Sequence, residues 1–373
     1  MSLKKRDPQK APAHAAQPAQ AEPERSGPAH AKPAKRRGPS RLVISLVVTA
    51  LAAAVVLALT IIRDVTEGPD AGQAASSAQP ASTTEEAEAT LEDDPVQVEF
   101  VEGTTESGIA YTGNSTIADS EALAALEAVV EEYAQAGYTL SIVMRDLDGA
   151  EPVSLTYHPD ERVYSASALK GPYIVFVYQV LVPTGVLSAG SVSGTAEACI
   201  RYSDNDAYRD IRSWTMNQGW SAWMRDAGVD MDDERAWYVD NHWYAETSAE
   251  DFARMWTHAY GFLTSQDPNA PWLADLFSDT ANSPMHAVLG DAYIVWSKAG
   301  WYDTWDGNAS PATNDAGIVM SDTGPYVLAI CTDAPANFDL LIRAVDAVNR
   351  CHGELAGGST ESLVTSATPE LHM

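Results

Sequence analysis

Hydrophobic positions along this chain follow three rhythms. The first is unbroken: Leu42 to Ile62 reads LVISLVVTALAAAVVLALTII, 21 residues without a charge. As a helix rising ~1.5 Å per residue it would reach roughly 30 Å, enough to cross a bilayer. The second rhythm is helical. Leu123, Leu126, Val130 and Tyr133 recur at three- and four-residue spacing, with Ser120 placed to cap the start and Gly137 to end the run. The same spacing returns in Phe338, Leu341, Ile342, Val345 and Val348, predicting a closing helix over Asn337 to Cys351. Between these helices, residues 184–290 are mostly helical in pattern, with Trp214, Trp220, Trp223 and Trp256 at core-like positions. The third rhythm is short apolar runs. TLSIVMRDL and PVSLTYHP read as strands joined around Asp148-Gly149, a strong hairpin signal, and AYIVWSKAGW, AGIVMS and YVLAICTD give three more. VQVEFVE could dock as a further strand.

The order is helix, two strands, a helical insert, three strands, helix. It predicts an α/β (α+β) body: a five-stranded antiparallel sheet, terminal helices on one face, a helical subdomain beside it, and one transmembrane helix in front. Composition divides the 373 residues further. Residues 1–41 are rich in Pro, Ala, Lys and Arg and cannot bury a core, so they read as a disordered basic tail. Residues 42–62 are the span and 63–115 an acidic tether. The body runs from 116 to 355, and 356–373 is a C-terminal tail. A cleaved signal peptide is the other reading of 42–62. The length of the apolar run, the 41 residues before it and the lack of a small-x-small site at Ile61–Arg63 argue against it. Lys35, Arg36, Arg37 and Arg41 crowd the N-terminal flank, which puts the N-terminus in the cytoplasm and the body outside.

Residues 1–41 hold ten Lys/Arg against three Asp/Glu, +7, so the total of −29 leaves −36 on everything after them. A body so acidic repels phosphate backbones, which argues against nucleic acid as a partner. Cys199, Cys331 and Cys351 are too few for a disulfide scaffold and lack metal-ligand spacing; Cys331 with Cys351 is the pair best placed to bridge. No H-E-x-x-H or similar pattern surrounds His158, His242, His258 or His286, and no G-x-S-x-G occurs, so neither a metal site nor an α/β-hydrolase is expected. No cofactor is called for. Asp303, Asp306 and Asn308 read as a polar turn between strands rather than a calcium loop.

Candidate chemistry gathers at VYSASALKGPYIVFVYQVLV, Val163 to Val182, where Ser167 and Lys170 spell S-x-x-K. On a helix, three positions bring the amine one turn along, onto the serine's own face. A serine hydroxyl needs a base within reach, and a desolvated lysine can be that base. Alone, the four residues fit a capping serine and a surface lysine better. Ser203-Asp204-Asn205 alone fits a helix cap or Asx turn, and Lys298-Ala299-Gly300 alone is an ordinary strand segment.

In this order the three sites make the set S-x-x-K, S-D-N, K-[TS]-G. Over about residues 116–355 the chain resembles class A β-lactamases and penicillin-binding proteins, in motif order and in order of elements. The resemblance implies an acyl-enzyme on Ser167, with Lys170 as base and Ser203 relaying a proton to the departing nitrogen. Asn205 would hold a substrate amide and Lys298 a substrate carboxylate, Lys298 also keeping Lys170 neutral. Backbone N–H groups of Ser167 and Trp301 would form the oxyanion hole. Gly300 would let the strand edge approach substrate, with Trp301 and Trp305 walling the cleft.

Against that family pattern, Ala299 replaces the Thr or Ser of the third motif. Ala316 stands near the position of a carboxylate-binding arginine, and the interval from Lys170 to Ser203 is short. The E-x-x-L-N motif that positions deacylating water is missing between Ser203 and Thr247, Glu234 being the nearest candidate. Pro172, two residues after the lysine, removes a helix donor. The expected function is a membrane-anchored extracytoplasmic serine hydrolase. It would act through an acyl-enzyme on a β-lactam or a cell-wall peptide-like amide, with slow deacylation. The alternative is a degenerate β-lactamase-fold module that binds cell-wall peptides without turning them over.

Overall fold

The computed structural model describes residues 100–149, 152–304 and 310–371. The expected span at 42–62 lies outside them; among the described residues no helix is long and apolar enough to cross a membrane. In chain order come β1 (Val101–Thr104), β2 (Ala110–Gly113), α1 (Glu121–Ala136), β3 (Leu140–Asp146), β4 (Ser154–Tyr157) and β5 (Arg162–Tyr164). A 3-10 turn (Ala166–Leu169) then leads into α2 (Lys170–Phe176) and a π turn (Val177–Leu181). The subdomain follows as α3 (Ala189–Arg201), α4 (Asn205–Thr215), α5 (Trp220–Asp226) and α6 (Asp233–Asn241). After β6 (Glu246–Ser248) come α7 (Ala249–Leu263), α8 (Ala270–Phe277) and α9 (Pro284–Leu289). The chain closes through β7 (Ile294–Tyr302), β8 (Ala312–Ser321), β9 (Gly324–Thr332) and α10 (Phe338–Ala356).

The main sheet has seven strands, not five, in the order β1-β2-β4-β3-β9-β8-β7, and every neighbouring pair is antiparallel. All five expected strands are present. The added pair, β1 and β2, extends the edge beside β4. β1 (VEGT) begins with the last two residues of the VQVEFVE stretch that could dock as a strand, whereas β2 (AYTG), four residues and half-buried, carries too little apolar periodicity to stand out. A separate two-stranded ribbon, β5 with β6, ties the segment before Ser167 to the subdomain.

Alternation along β3 and β9 explains the two cores. Ile142 and Met144 with Leu328 and Ile330 face α1 and α10, while Val143 with Val327, Ala329 and Cys331 faces the helical subdomain. With helices on both faces the strands read as nearly continuous apolar runs. Cys331 and Cys351 belong to opposite cores and all three cysteines are free thiols, so the expected bridge is not formed. Trp220, Trp223 and Trp256 are core as expected, but Trp214 is 45% exposed: it lies on the outer face of α4, away from buried Tyr208, Ile211 and Arg212.

Local signals behave as their chemistry dictates. Ser120 Oγ accepts from Leu123 N–H at 3.1 Å, and Gly137 ends α1 in the left-handed region. Pro172 sits in the first turn of α2, so its missing N–H removes none of the i to i−4 bonds made within Lys170–Phe176.

Candidate active site

The 3-10 turn carrying Ser167 is held from three sides. Asn314 on β8 is buried, and its Nδ2 donates to Tyr164 O (2.9 Å) and Ser165 O (3.0 Å) while its Oδ1 accepts from Thr332 N–H (3.0 Å). Ala166 is forced to a φ of 46°, a left-handed residue immediately before the serine. Gly300 on β7 supplies the third side. A methyl there would collide with the backbone nitrogens of Ser167 and Ala168. Gly300 is therefore required by the serine turn itself, a closer neighbour than the substrate envisaged from sequence.

Gly171, the residue after Lys170, is needed for the same reason. A Cβ there would come within 2.9 Å of both Lys298 Cβ and the Trp256 ring. Its absence lets α2 settle on β7 and brings the two lysines to one buried place, both fully shielded from solvent. Lys170 Nζ donates to Ser203 O (2.6 Å) and to Asn205 Oδ1 (2.7 Å). Burial pulls Lys170 down to about 8, with nearby Cys199 and Asp204 pushing the other way. Lys298 falls further, to about 7, from burial first and repulsion by Lys170 second, against the opposing pull of Asp315. The order is physical: among the described residues Lys298 Nζ donates to the Ala299 carbonyl alone (2.6 Å), whereas Lys170 has two acceptors. The Lys298 amine also lies 5.8 Å from the centre of the Trp301 ring, which lines the cleft.

The S-D-N residues serve fold and site together. Asp204 caps α4, its carboxylate accepting from Ala207 N–H at 2.8 Å, and Ser203 takes a φ of 55° to make the turn. That turn aims the Ser203 carbonyl at Lys170. The Ser203 hydroxyl oxygen is enclosed and has no hydrogen-bond partner, and Ser167 Oγ makes no hydrogen bond among the described residues.

Ser167, Asn205 and Trp301 line one cleft of about 180 Å³ with Tyr164, Ala166, Arg209, Trp243, Tyr244 and Tyr302. Seven of the residues singled out from sequence meet at one junction: Ser167, Asn205 and Trp301 at the surface of the cleft, Lys170, Ser203, Lys298 and Gly300 behind it. Trp305, Asp306 and Asn308 lie outside the described residues. The described lining of the cleft contains no carboxylate. Glu234 is elsewhere, on α6, in a separate cavity of about 440 Å³ with Arg162, Asp230, Asp232, Arg235, Tyr238 and Glu246.

Sequence reading missed Arg209, Tyr244 and Asn314. Arg209 was within reach of a periodicity argument, since it lies four residues after Asn205 on the same face of α4. Lysine usage is a stronger signal. From residue 36 onward the chain contains lysine only at 170 and 298, every other basic residue being Arg or His. Lysine is the base whose charge burial can tune, and arginine is not.

The fold is thus a sheet sandwiched between a helix pair and a helical subdomain, with a serine, two buried amines and an asparagine at their junction. Residues 180–350 match the model of the β-lactamase enzyme family, and the likeness read from the motifs holds at the family level. The matched stretch contains Ser203, Asn205, Lys298, Gly300 and Trp301 and begins after Ser167 and Lys170. Solved structures similar to this chain include a β-lactamase from Chitinophaga pinensis, 18% identical, with a TM-score of 0.49, covering 61% of this chain and 99% of that one. A mutant of PBP-A, in an acyl-enzyme complex with penicillin G, is 18% identical over 62% of this chain and 97% of its own, with a TM-score of 0.48. A β-lactamase from Sphaerobacter thermophilus is 15% identical over 63% and 97%, also with a TM-score of 0.48. No curated protein matches the chain.

Proposed function

We propose that the protein is a serine acyl-transfer enzyme, anchored in the membrane by residues 42–62 with its body outside the cytoplasm, that opens a β-lactam or a cell-wall peptide-like amide and releases the acyl group slowly. The observation that carries the reading is the amine of Lys170. A neutral amine has two N–H groups, and two acceptors take them, Ser203 O and Asn205 Oδ1. Its lone pair is left to the remaining tetrahedral direction, free to take the proton of Ser167. Ser167 Oγ then attacks the carbonyl carbon, and the carbonyl π pair moves to oxygen, met by the N–H groups of Ser167 and Trp301. Collapse re-forms the carbonyl and breaks the C–N bond. The proton held by Lys170 passes through the Ser203 hydroxyl to the departing nitrogen.

Slow release is supported by the same cleft. Hydrolysis of the ester needs a base for water, and the described lining offers tyrosines, tryptophans and an arginine but no carboxylate. That lack also favours a second reading, a module that binds cell-wall peptides without chemistry. Incubating the full chain with a fluorescent penicillin separates the two. The enzyme reading expects covalent label on the wild type that outlasts removal of free penicillin, no label on Ser167→Ala, and little turnover of a chromogenic cephalosporin. Failure of the wild type to take label from penicillins and activated esters alike would leave only the binding module. Protease added to intact cells should clip the body if it is external, and spare it if it is not.

A further inference from the structure

We propose that Tyr244 is a positioning residue: by closing the carbonyl oxygen of Asn205 together with Lys170, it fixes the Asn205 amide group as a donor facing the cleft. The inference rests on the acyl-enzyme reading above. Asn205 Oδ1 has two lone pairs and two donors, Lys170 Nζ at 2.7 Å and the Tyr244 hydroxyl at 2.9 Å. With both taken, the NH₂ end is the side left for a ligand, and Asn205 lines the cleft beside Ser167. Without the tyrosine, one lone pair would be open to water and the amide free to turn about its own axis.

Tyr244 is held for this purpose by α4. The Tyr208 hydroxyl donates to Trp243 O at 2.9 Å, and buried Arg212 donates to the Tyr208 oxygen at 2.9 Å and to the carbonyls of Val239 and His242 at 3.5 Å each. The Tyr244 ring lies 5.3 Å from that of Tyr208 and edge-on to Tyr164 at 6.1 Å. Arg212 has no carboxylate partner among the described residues. What it gains is the strap of carbonyls that sets Trp243 and Tyr244 over the cleft. Burial keeps the Tyr244 phenol well above its usual range, so it donates at every pH of interest.

Two donors on one oxygen compete. Removing the phenol leaves Asn205 Oδ1 to Lys170 alone, which favours the ammonium over the amine that must accept the Ser167 proton. The groups around that amine are Cys199 on α3, Asp204 before α4, Tyr208 on α4, Tyr244 and Lys298 on β7. Only Tyr244 shares Asn205 Oδ1 with it.

The test is Tyr244→Phe, which keeps the ring and removes the hydroxyl. Acylation by fluorescent penicillin should slow by ~10-fold at pH 7, its acid limb should move to higher pH, and Tm should stay within a degree or two. The Lys170 ε-methylene, followed by NMR in isotope-labelled protein, should titrate at higher pH in the variant; this readout needs no turnover, and the body has only Lys170 and Lys298 to resolve. In an Asn205→Ala background the same change should shift neither limb nor titration. Wild type and variant that superimpose in both measurements overturn the positioning role while leaving Ser167 labelling intact. A shift that persists without Asn205 overturns it too, by showing that the phenol acts through something else. A wild type that takes no label overturns the role together with the enzyme reading.

Discussion

Replacing Lys298 by methionine should stabilise the fold and end acylation. Lys298 is fully buried, and its amine is lowered from 10.5 to about 7 by burial and by repulsion from Lys170. At ~1.4 kcal/mol for each tenfold change in proton affinity, that lowering corresponds to at most ~5 kcal/mol of folding free energy forgone at neutral pH. Part of this is returned by Asp315, itself raised to about 6 by burial, which loses a favourable neighbour when the cation goes. The net gain expected for Lys298→Met is about 2 kcal/mol at pH 7. The pH dependence has a fixed sign. Between about 7 and 10.5 the unfolded chain holds a proton at this position that the folded chain does not, so wild-type stability rises with pH through that window. The variant lacks this slope, so its advantage should fall to zero near about pH 9 and reverse above it. Urea unfolding at pH 7 and pH 9.5, with m-values compared to guard against a changed unfolded state, measures both quantities. A variant less stable than wild type by 1 kcal/mol or more at pH 7 would refute the reasoning, because Lys298 would then be a net partner of Asp315 rather than a strained cation.

Asn314→Ala should lower stability by about 2–3 kcal/mol and slow acylation, since it strands two buried carbonyls and one N–H beside the serine turn; thermal unfolding with penicillin labelling reads both effects, and a loss confined to Tm would separate fold from site. Gly300→Ala should abolish labelling even where the variant folds, because a methyl at 300 must push the Ser167 and Ala168 nitrogens away; retained labelling would show that the turn can move. Arg209→Ala should raise KM for carboxylate-bearing substrates several-fold with kcat little changed, Arg209 being the cation that lines the cleft with Trp301 and Tyr302. Equal KM for substrates with and without a carboxylate would set that role aside.

The features of this molecule that the sequence announces are those decided within one turn or one strand pair. Ser120 and Gly137 bracket α1 because a hydroxyl and a left-handed glycine act locally, and Asp148-Gly149 turns β3 into β4 for the same reason. The motif residues were legible because their order along the chain survives even when their partners are far away. What stayed hidden depends on tertiary approach. Asn314 looks like any polar residue on a strand until Tyr164 and Ser165 arrive from about 150 positions earlier. Arg212 reads as a surface cation on an amphipathic helix, yet it is buried over the rings of Tyr173 and Tyr208. β2 has its place because the edge of β4 is there to pair with it, and β1 pairs in turn with β2.

Charge choice ties these strands of argument together. The body carries a large negative excess, yet its one cleft that contains the serine is lined by Arg209 and backed by Lys170, Lys298 and Arg212, with no acid among the described lining. Arginine serves where a permanent charge is wanted, at α4 and on the surface, because its guanidinium stays protonated through any burial found here. From residue 36 onward, lysine is confined to the two buried positions where the proton must come and go. A chain under no such constraint would scatter lysines over its solvent face, where they are as good as arginine for solubility. Confinement of both to one junction, with the glycines at 171 and 300 clearing space for them and for the serine turn, links the composition to the chemistry more tightly than any of the three motifs does by itself.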